Sequence, residues 1–600
     1  MAPMPSFLTG IAASFGAAGA SKWSTPDLFS IAFAAVLAVL VIAVRRHPSA
    51  PRIVAAAMVL ALVTVAWRSV QFDLVGWHGF MHGAVMERLV DGGPIPPEDP
   101  AFAGGTLRYP WIEHWLMASL SRMTGVHPNV ETIAFEILLF AVFLAGSAAV
   151  AAAVSEDPEV IALAVLLAGF GISIFHGGLL RQLVFYLFPQ SLLETRIIPI
   201  DKFANISAMP PGYAAMVWSA AASLAFVRGT IRVRTAALSV AALTLVAALF
   251  HPLSWTGILV FQSVVVLMLL VAGSRDDRVG ALWIAAGVAA ASLVASPYLH
   301  SIGASESSDG WTGVVDSWPL FSAKAWDLEL LFGPLVLLAF VYRKRLAQMV
   351  GAGNAPLRII FVAIVVLAGA FLFVRYPGRN EYKFLLYLIP LAAVVGAICL
   401  RELLSRHVFV GTLVAAVFLL PGGHALGLRP WTQVLEPARV DGPYFRAVNA
   451  SSDALFQWIA TQTPPDSVFL SADLRIPALA RRGLYIAVDA PWLGLDGWGV
   501  LRQQLLQWHI RRPDAVMYRR QHLATIVIDA DWASLEPAVA IAEIRKDIST
   551  RPLFVHIQNP TAAEKLDRTP GFELRFRNAA GSVYELGNAA AGRADKESNR

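Results

Sequence analysis

Charged residues are scarce in this chain: 15% of its 600 residues are Asp, Glu, Lys or Arg, whereas 56% are hydrophobic. The mean hydropathy of +0.59 excludes an ordinary soluble globular protein. The one cysteine, Cys399, lies in an apolar run, so disulfides cannot staple the loops. The sequence also lacks a phosphate-binding Gly-rich loop, a Gly-x-Ser-x-Gly elbow and a zinc-type Cys cluster. These absences disfavour ATP-driven transport, serine hydrolysis and structural zinc.

Long apolar stretches instead predict an α-helical polytopic membrane protein with about twelve transmembrane helices. The predicted spans are 28–44, 52–68, 130–153, 159–176, 207–227, 235–250, 254–273, 279–297, 327–342, 357–375, 383–400 and 407–421. We interpret His251-Pro252 as a tight hairpin between two spans, and the alternative is a single kinked span.

The charges between these spans follow one rule of sidedness. Alternate short connections are basic, namely 45–46, 228–234, 275–278, 342–345 and 401–407. Lys and Arg favour the cytoplasmic side, so the long connections 69–129, 177–206 and 298–326 are expected outside. The acidic turn 155–159 then falls inside. The net charge of +5 arises from the cytoplasmic loops and does not indicate nucleic-acid binding.

The composition changes near residue 422, and the predicted organisation follows that change. We expect a periplasmic N-terminal segment at 1–26, a transmembrane domain at 27–421, a small periplasmic α/β domain at 422–587 and a disordered tail at 588–600. Residues 1–26 are alternatively a processed or additional membrane segment. Within 422–587 the pattern predicts helices at 451–460 and 499–510 and strands at 467–471, 525–529, 572–577 and 582–586.

The first outer loop carries several groups that suit chemistry. Asp73 directly follows a span, where a carboxylate can act as a general base, bind a divalent cation or simply end a helix in water. His78 and His82 are four residues apart and share a helix face, either as a metal pair or as hydrogen-bonding interfacial residues. The amphipathic run 111–120 is expected to lie flat at the interface, with Glu113 and His114 facing an outer cavity or plain solvent.

Cations gather at a later outer loop. Arg375, Arg379 and Lys383 lie at the mouth of a span. Pro377-Gly378 interrupts the helix, so the next helix is expected to start near Asn380 with its positive end outward. This arrangement suits an anion such as a lipid phosphate, and snorkelling of the cations to lipid head groups is the alternative.

Lys202 and His251 are further candidates for the same outer cavity, and Glu136 is a candidate for a structural role. Lys202 either binds phosphate or forms ion pairs within its loop, and His251 faces the cavity from its hairpin. Glu136 lies within a span, where we expect it to pair with a cation of a neighbouring span.

The stretches 104–125, 375–384 and 458–469 together resemble the GT-C-type membrane glycosyltransferases. The resemblance implies transfer of a sugar from a polyprenyl-phosphate-linked donor to an envelope glycan, lipid or protein, at the periplasmic face of a bacterial inner membrane. Asp73 matches the position of the family's first-loop catalytic acid, with Glu113 as second candidate. The paired acid of many members is missing, so either a single base suffices, or Asp91 or Asp99 folds back, or catalysis is absent.

The candidate substrate-binding residues are His78, His82, Tyr109, His114, Lys202, His251, Arg375, Arg379, Glu381 and Lys383. No metal-ligand set is assigned, and a requirement for a divalent cation stays open. Membrane lipids are expected partners and nucleic acid is not. The alternative functions are an envelope lipid or oligosaccharide transporter or flippase, and a catalytically inert membrane scaffold.

Overall fold

The fold was analysed in a computed structural model. It describes residues 74–107, 109–126, 128–171, 203, 209–303, 313–315, 317–351, 353–375, 382–415, 417–419, 444–446, 450–473, 475–486, 514–548 and 550–587. The predicted spans 28–44 and 52–68 and the predicted helix 499–510 lie outside these residues.

The first outer loop forms two helices before the bundle begins. Strand β1 (Leu74–Gly76) leads into α1 (Trp77–Val90), and α2 (Ile112–Thr124) follows after an irregular segment. Gly125 ends α2 in the left-handed conformation with φ of 74°, which glycine adopts without steric penalty.

A bundle of apolar helices occupies the middle of the chain. Its helices are α3 (Pro128–Val154), α4 (Pro158–Phe170), α5 (Pro210–Val227), α6 (Val233–Phe250), α7 (Pro252–Ala272), α8 (Arg275–Gly303), α9 (Trp318–Val341), α10 (Arg343–Gly351), α11 (Ala355–Phe373), α12 (Lys383–Arg406) and the shorter α13 (Val408–Leu419). Two short strands, β2 (Gly313–Val314) and β3 (Val374–Arg375), pair antiparallel beside it.

Six helices in the described part of the chain, α3, α6, α7, α8, α11 and α12, are long and apolar enough to cross a membrane. A seventh span results if α9 and α10, which meet at a bend of 74°, are taken together. Helix α12 is apolar on all sides and almost wholly buried, as expected for a helix surrounded by others. By contrast, α6 and α8 expose residues such as Leu238 and Leu293, which suits contact with lipid tails.

The hairpin predicted at His251 is confirmed. Helix α6 ends at Phe250 and α7 begins at Pro252, and each is long enough to span by itself. Proline is well tolerated here because the N–H group of the first helical residue has no hydrogen-bond acceptor within the helix, so its absence costs nothing. The connections on either side of this hairpin therefore keep the predicted alternation.

Several connections predicted to be cytoplasmic meet at one end of the bundle. Arg228 contacts Glu156 at 2.7 Å, and Arg401 contacts Glu159 at 2.6 Å and Asp157 at 3.2 Å. The acidic turn that carries no Lys or Arg of its own is thus neutralised by two basic connections. This pairing is what the predicted sidedness requires.

The C-terminal part contains a five-stranded mixed sheet with strand order β6-β5-β7-β9-β8. Strand β4 (Tyr444–Arg446) precedes it, and the sheet strands are β5 (Val468–Leu470), β6 (Gly483–Leu484), β7 (Leu553–Ile557), β8 (Phe572–Asn578) and β9 (Gly581–Leu586). Strands β6, β5 and β7 run parallel, whereas β9 is antiparallel to β7 and β8. The helices are α14 (Ala450–Gln462), α15 (Arg475–Leu479), α16 (Asp514–Asp529), α17 (Pro537–Asp547) and α18 (Pro560–Asp567).

The strand predicted at 525–529 is wrong, because these residues form the end of α16. Leu523, Ala524 and Val527 are buried in the core against the sheet, and their spacing is that of one helix face. A short apolar run has no periodicity that separates a buried strand from a buried helix. The strands predicted at 467–471, 572–577 and 582–586 and the helix at 451–460 are confirmed.

The first outer loop and the C-terminal part contact each other. Strand β1 pairs antiparallel with β4, with Leu74 opposite Arg446. Glu98 in the loop forms an ion pair with Arg551, which directly precedes β7 in the sheet region. Two segments in contact outside the bundle must lie on the same side of the membrane.

Cysteine labelling tests this placement in a Cys399→Ala background, since that thiol is fully buried. We expect Met123→Cys on α2 and Lys546→Cys on α17 to react with a membrane-impermeant maleimide from one face, because both positions are exposed. Arg406→Cys at the end of α12 should react only from the opposite face. Labelling of Met123→Cys and Lys546→Cys from opposite faces would contradict the fold.

Candidate functional site

The structure describes seven of the twelve candidate site residues with their side chains: His82, Tyr109, Glu113, His114, His251, Arg375 and Lys383. His78 is placed on α1 by its backbone alone. Asp73, Lys202, Arg379 and Glu381 lie outside the described residues.

A buried pair of histidines joins the two helices of the first outer loop. His82 on α1 and His114 on α2 approach to 2.6 Å between Nδ1 and Nε2, and their rings stack at 4.9 Å. Tyr109 packs on both rings, with centroid distances of 5.7 and 6.1 Å. At this separation one nitrogen donates a hydrogen and the other accepts it. His82 therefore pairs across the loop with His114.

Metal binding gains no support from this part of the molecule. Among the residues that the structure describes, no group of three His, Cys, Asp or Glu side chains is placed to hold a metal ion. Burial lowers the pKa of His114 to about 3, so its imidazole is neutral at physiological pH. The histidine pair consequently shares a hydrogen bond without carrying a charge on His114.

Glu113 lies beside this pair and is buried, with 3% of its surface exposed. Burial, and then the neighbouring Glu136, raise the pKa of Glu113 well above its ordinary value of 4.5. This environment favours the protonated carboxyl group, which can donate a hydrogen bond and is a poor proton acceptor. Glu113 stays a second candidate for the base, and in its protonated form it would be a hydrogen-bond donor. Glu136, expected beside a cation, has this acid as an electrostatic neighbour.

The expected orientation of the amphipathic helix is also wrong. Helix α2 turns Glu113 and His114 into the protein together with Met117 and Ala118, whereas Trp115 is 40% exposed. His114 bonds His82 inside the loop, and an exposed tryptophan is stable at a membrane interface. Glu113 and His114 thus form part of a packed site and do not face an open outer cavity.

A second polar cluster lies where the α6–α7 hairpin meets the start of α12. Lys383 Nζ lies 3.1 Å from His251 Nε2, and His251 Nδ1 lies 2.8 Å from Ser254 Oγ. Tyr387 Oη donates to Ser254 Oγ at 3.0 Å. The Ser254 backbone N–H also donates to His251 Nδ1 at 3.1 Å, so this nitrogen acts as an acceptor. The cluster fixes one cation at the positive N-terminal end of a buried helix.

The close fit of this hairpin explains a glycine. A Cβ atom at Gly212, in the first turn of α5, would lie 2.6 Å from His251 Cβ. Within the described residues α12 begins at Lys383, so this lysine lies in its first turn. The predicted helix start near Asn380 lies outside the described residues.

The two clusters adjoin each other through aromatic residues. Burial raises the pKa of Tyr109, and Glu113, then Tyr382, which immediately precedes Lys383, and Tyr298 raise it further. Tyr298 near the end of α8 accepts a hydrogen bond from the Trp111 backbone N–H at 3.1 Å. The first outer loop therefore lies against the ends of α8 and α12.

Sequence reasoning missed Lys324, which organises the neighbouring loop. Lys324 lies on α9 with 1% exposure and donates to the carbonyl oxygens of Phe371 at 3.1 Å and Val374 at 2.7 Å. These carbonyls belong to the end of α11 and to β3, where Arg375 pairs with Gly313 and is exposed. The available signal was a lysine just before a predicted span, where its burial is costly unless the ammonium group is hydrogen-bonded.

Glu113→Gln tests whether this carboxyl group is protonated. A carboxyl whose pKa is higher in the folded state stabilises the fold below its ordinary pKa, and that stability is lost as the pH rises above 4.5. We expect Glu113→Gln to remove a slope of up to about 1.4 kcal/mol per pH unit in this window. Thermal unfolding in detergent measures it.

The matched control is Glu564→Gln on α18, where the side chain is exposed. This variant should keep the wild-type slope. An unchanged slope in Glu113→Gln would show that Glu113 is ionised in the folded protein.

Comparisons with known proteins agree with this architecture. Residues 18–221 match the family model described as Uncharacterized membrane protein (DUF2298). By sequence, the chain matches no curated protein.

Solved structures give a broader match. The crystal structure of ArnT from Cupriavidus metallidurans in the apo state is 12% identical with a TM-score of 0.51, and the same protein bound to undecaprenyl phosphate is 12% identical with a TM-score of 0.50. Each match covers 90% of this chain and 98% of the other. The Archaeoglobus fulgidus oligosaccharyltransferase tethered to an acceptor peptide is 10% identical with a TM-score of 0.49, covering 90% and 74%. The resemblance seen in the sequence is confirmed for the fold: the chain is a polytopic membrane protein with the GT-C fold.

Proposed function

We propose that the chain is a membrane glycosyltransferase that moves a sugar from a polyprenyl-phosphate-linked donor to an envelope acceptor. The observation that carries this proposal is the proximity of the two polar clusters: Tyr109, which packs on His82 and His114, lies within electrostatic range of Tyr382, the residue before Lys383. The fold supports it, since ArnT with undecaprenyl phosphate has the same architecture.

The reaction needs a base for the acceptor and cations for the departing phosphate. Lys383, held by His251 at the N-terminal end of α12, is the proposed phosphate-binding cation. Arg375 and Arg379 extend this cationic edge, with Lys202 and Glu381 as further substrate contacts. The charge-assisted hydrogen bonds of such a site strengthen as negative charge develops on the leaving group.

Asp73 is the proposed general base. It directly precedes β1, which leads into α1, the helix that carries His82 of the histidine pair. Protonated Glu113 would instead donate a hydrogen bond to the substrate. Asp73 and Glu113 would then have different roles, base and donor, because their environments differ. His78 and Tyr109 complete the proposed binding surface, and a divalent cation is compatible with an Asp73 carboxylate.

The proposed setting is the inner membrane of a bacterium, with about twelve transmembrane helices and both termini outside. The domain limits proposed are 1–26, 27–421, 422–587 and 588–600, with the third unit periplasmic. The contact of Glu98 with Arg551 supports placing the first outer loop and the third unit, from here on called the C-terminal unit, on the same side of the membrane. The ion pairs of Arg228 and Arg401 with the acidic turn support placing the basic connections together on the opposite side of the membrane.

Asp73→Asn tests the function, because it keeps the side-chain shape and removes the base. We expect sugar transfer in proteoliposomes supplied with labelled polyprenyl-phosphate sugars to fall by about 10²- to 10⁴-fold. Asp276→Asn, at an exposed position in the first turn of α8, is the control and should retain activity. Undiminished transfer in a folded Asp73→Asn variant would dismiss this base, and no transfer by the wild type with any such donor would favour the scaffold.

A further inference from the structure

The first outer loop extends the sheet of the C-terminal unit. Leu484 of β6 donates its N–H to the Pro100 carbonyl at 2.9 Å, and its carbonyl accepts the Ala103 N–H at 2.9 Å. Strand β6 is the outermost strand on its side of the sheet, and an edge strand presents unpaired backbone groups. Residues 100–103 satisfy two of them, so this part of the loop is anchored by the sheet itself.

The same segment supplies a residue to the core of the C-terminal unit. Phe102 is fully buried among residues that include Val468, Tyr485 and Val555. A side chain from the loop therefore packs with residues more than three hundred positions later in the sequence. This core is completed by the loop.

Arg520 on α16 closes this contact from the other side. Its guanidinium group lies 4.1 Å from the ring centroid of Phe102 and donates to the Ala103 carbonyl at 2.8 Å. It also donates to Asp547 at 3.0 Å, and only 5% of the residue is exposed. A planar guanidinium can stack and donate in several directions at once, which a lysine cannot reproduce.

Further ion pairs tie the C-terminal unit to α1. Arg481 contacts Glu87 at 2.8 Å and Asp91 at 3.4 Å. Glu87 is buried and lies five residues after His82 on the same helix. At a rise of about 1.5 Å per residue, the Glu87–Arg481 ion pair lies little more than one helical turn from His82.

We propose that Arg520 and the segment 100–103 are positioning elements for the proposed active site. The C-terminal unit holds the first outer loop and thereby sets how α1 and α2 bring His82 against His114. On this account the unit is a structural part of the site, whatever else it binds. The catalytic consequence rests on the proposed function, whereas the positioning itself does not.

Arg520→Ala in the full-length protein tests the proposal against a matched control, Arg519→Ala. Arg519 also bonds Asp547, but it contacts Glu543 and solvent and not the loop. We expect amide hydrogen exchange across 98–107 and α1 to rise by about tenfold or more in Arg520→Ala, with wild-type rates in Arg519→Ala. Sugar transfer by Arg520→Ala should fall by about 10- to 100-fold in kcat with little change in KM.

Phe102→Leu is the second variant if Arg520→Ala does not fold. It keeps an apolar side chain in the core and removes the ring beneath the guanidinium group, so faster exchange across 98–107 and α1 is again expected. Exchange that rises only within α16 and the sheet, equally in Arg519→Ala, would overturn the proposal. Absence of transfer in every variant and the wild type would refute the proposed function, while the exchange rates would still decide whether the loop is positioned.

Discussion

Desolvation of polar groups at one end of an apolar bundle is the constraint on which the structure depends. A buried ionisable group must be neutral or paired, because burial without a partner costs several kcal/mol. Glu113 and His114 follow the first course, with the pKa of the acid raised and that of the base lowered. Lys324 and Lys383 follow the second, through carbonyl oxygens and an imidazole nitrogen.

A cation near buried polar groups suits the proposed transfer, in which negative charge would develop on a departing phosphate. On the proposed function, groups held by the packed loop before the substrate binds would need little reorganisation in the transition state. The C-terminal unit enters this arrangement through the first outer loop, whose Glu98 and Phe102 it binds. Fold, loop and site are thus connected by contacts between distant parts of the sequence.

Those features that depend on local pattern were predictable from the sequence. The hairpin at His251, the strands at 572–577 and 582–586 and the role of α12 as an apolar helix follow from proline, period and hydropathy. The inward orientation of Glu113, its neighbour Glu136 and the anchoring of Phe102 were not predictable, because each requires a partner supplied by tertiary structure. The strand prediction at 525–529 was wrong for the same reason, since only the packing of α16 against the sheet decides the conformation of these residues.

The account depends most on the cation at the start of α12. Binding of a sugar-free polyprenyl phosphate to the purified protein, followed by native mass spectrometry, measures it directly in wild type, Lys383→Met and Lys344→Met. Lys344 is exposed and precedes α11 near the basic end of the bundle, so its variant controls for general attraction of anionic lipid. The account predicts affinity about tenfold or more weaker in Lys383→Met alone, as expected for loss of a hydrogen bond to a charged group. Equal affinity in all three proteins would contradict it.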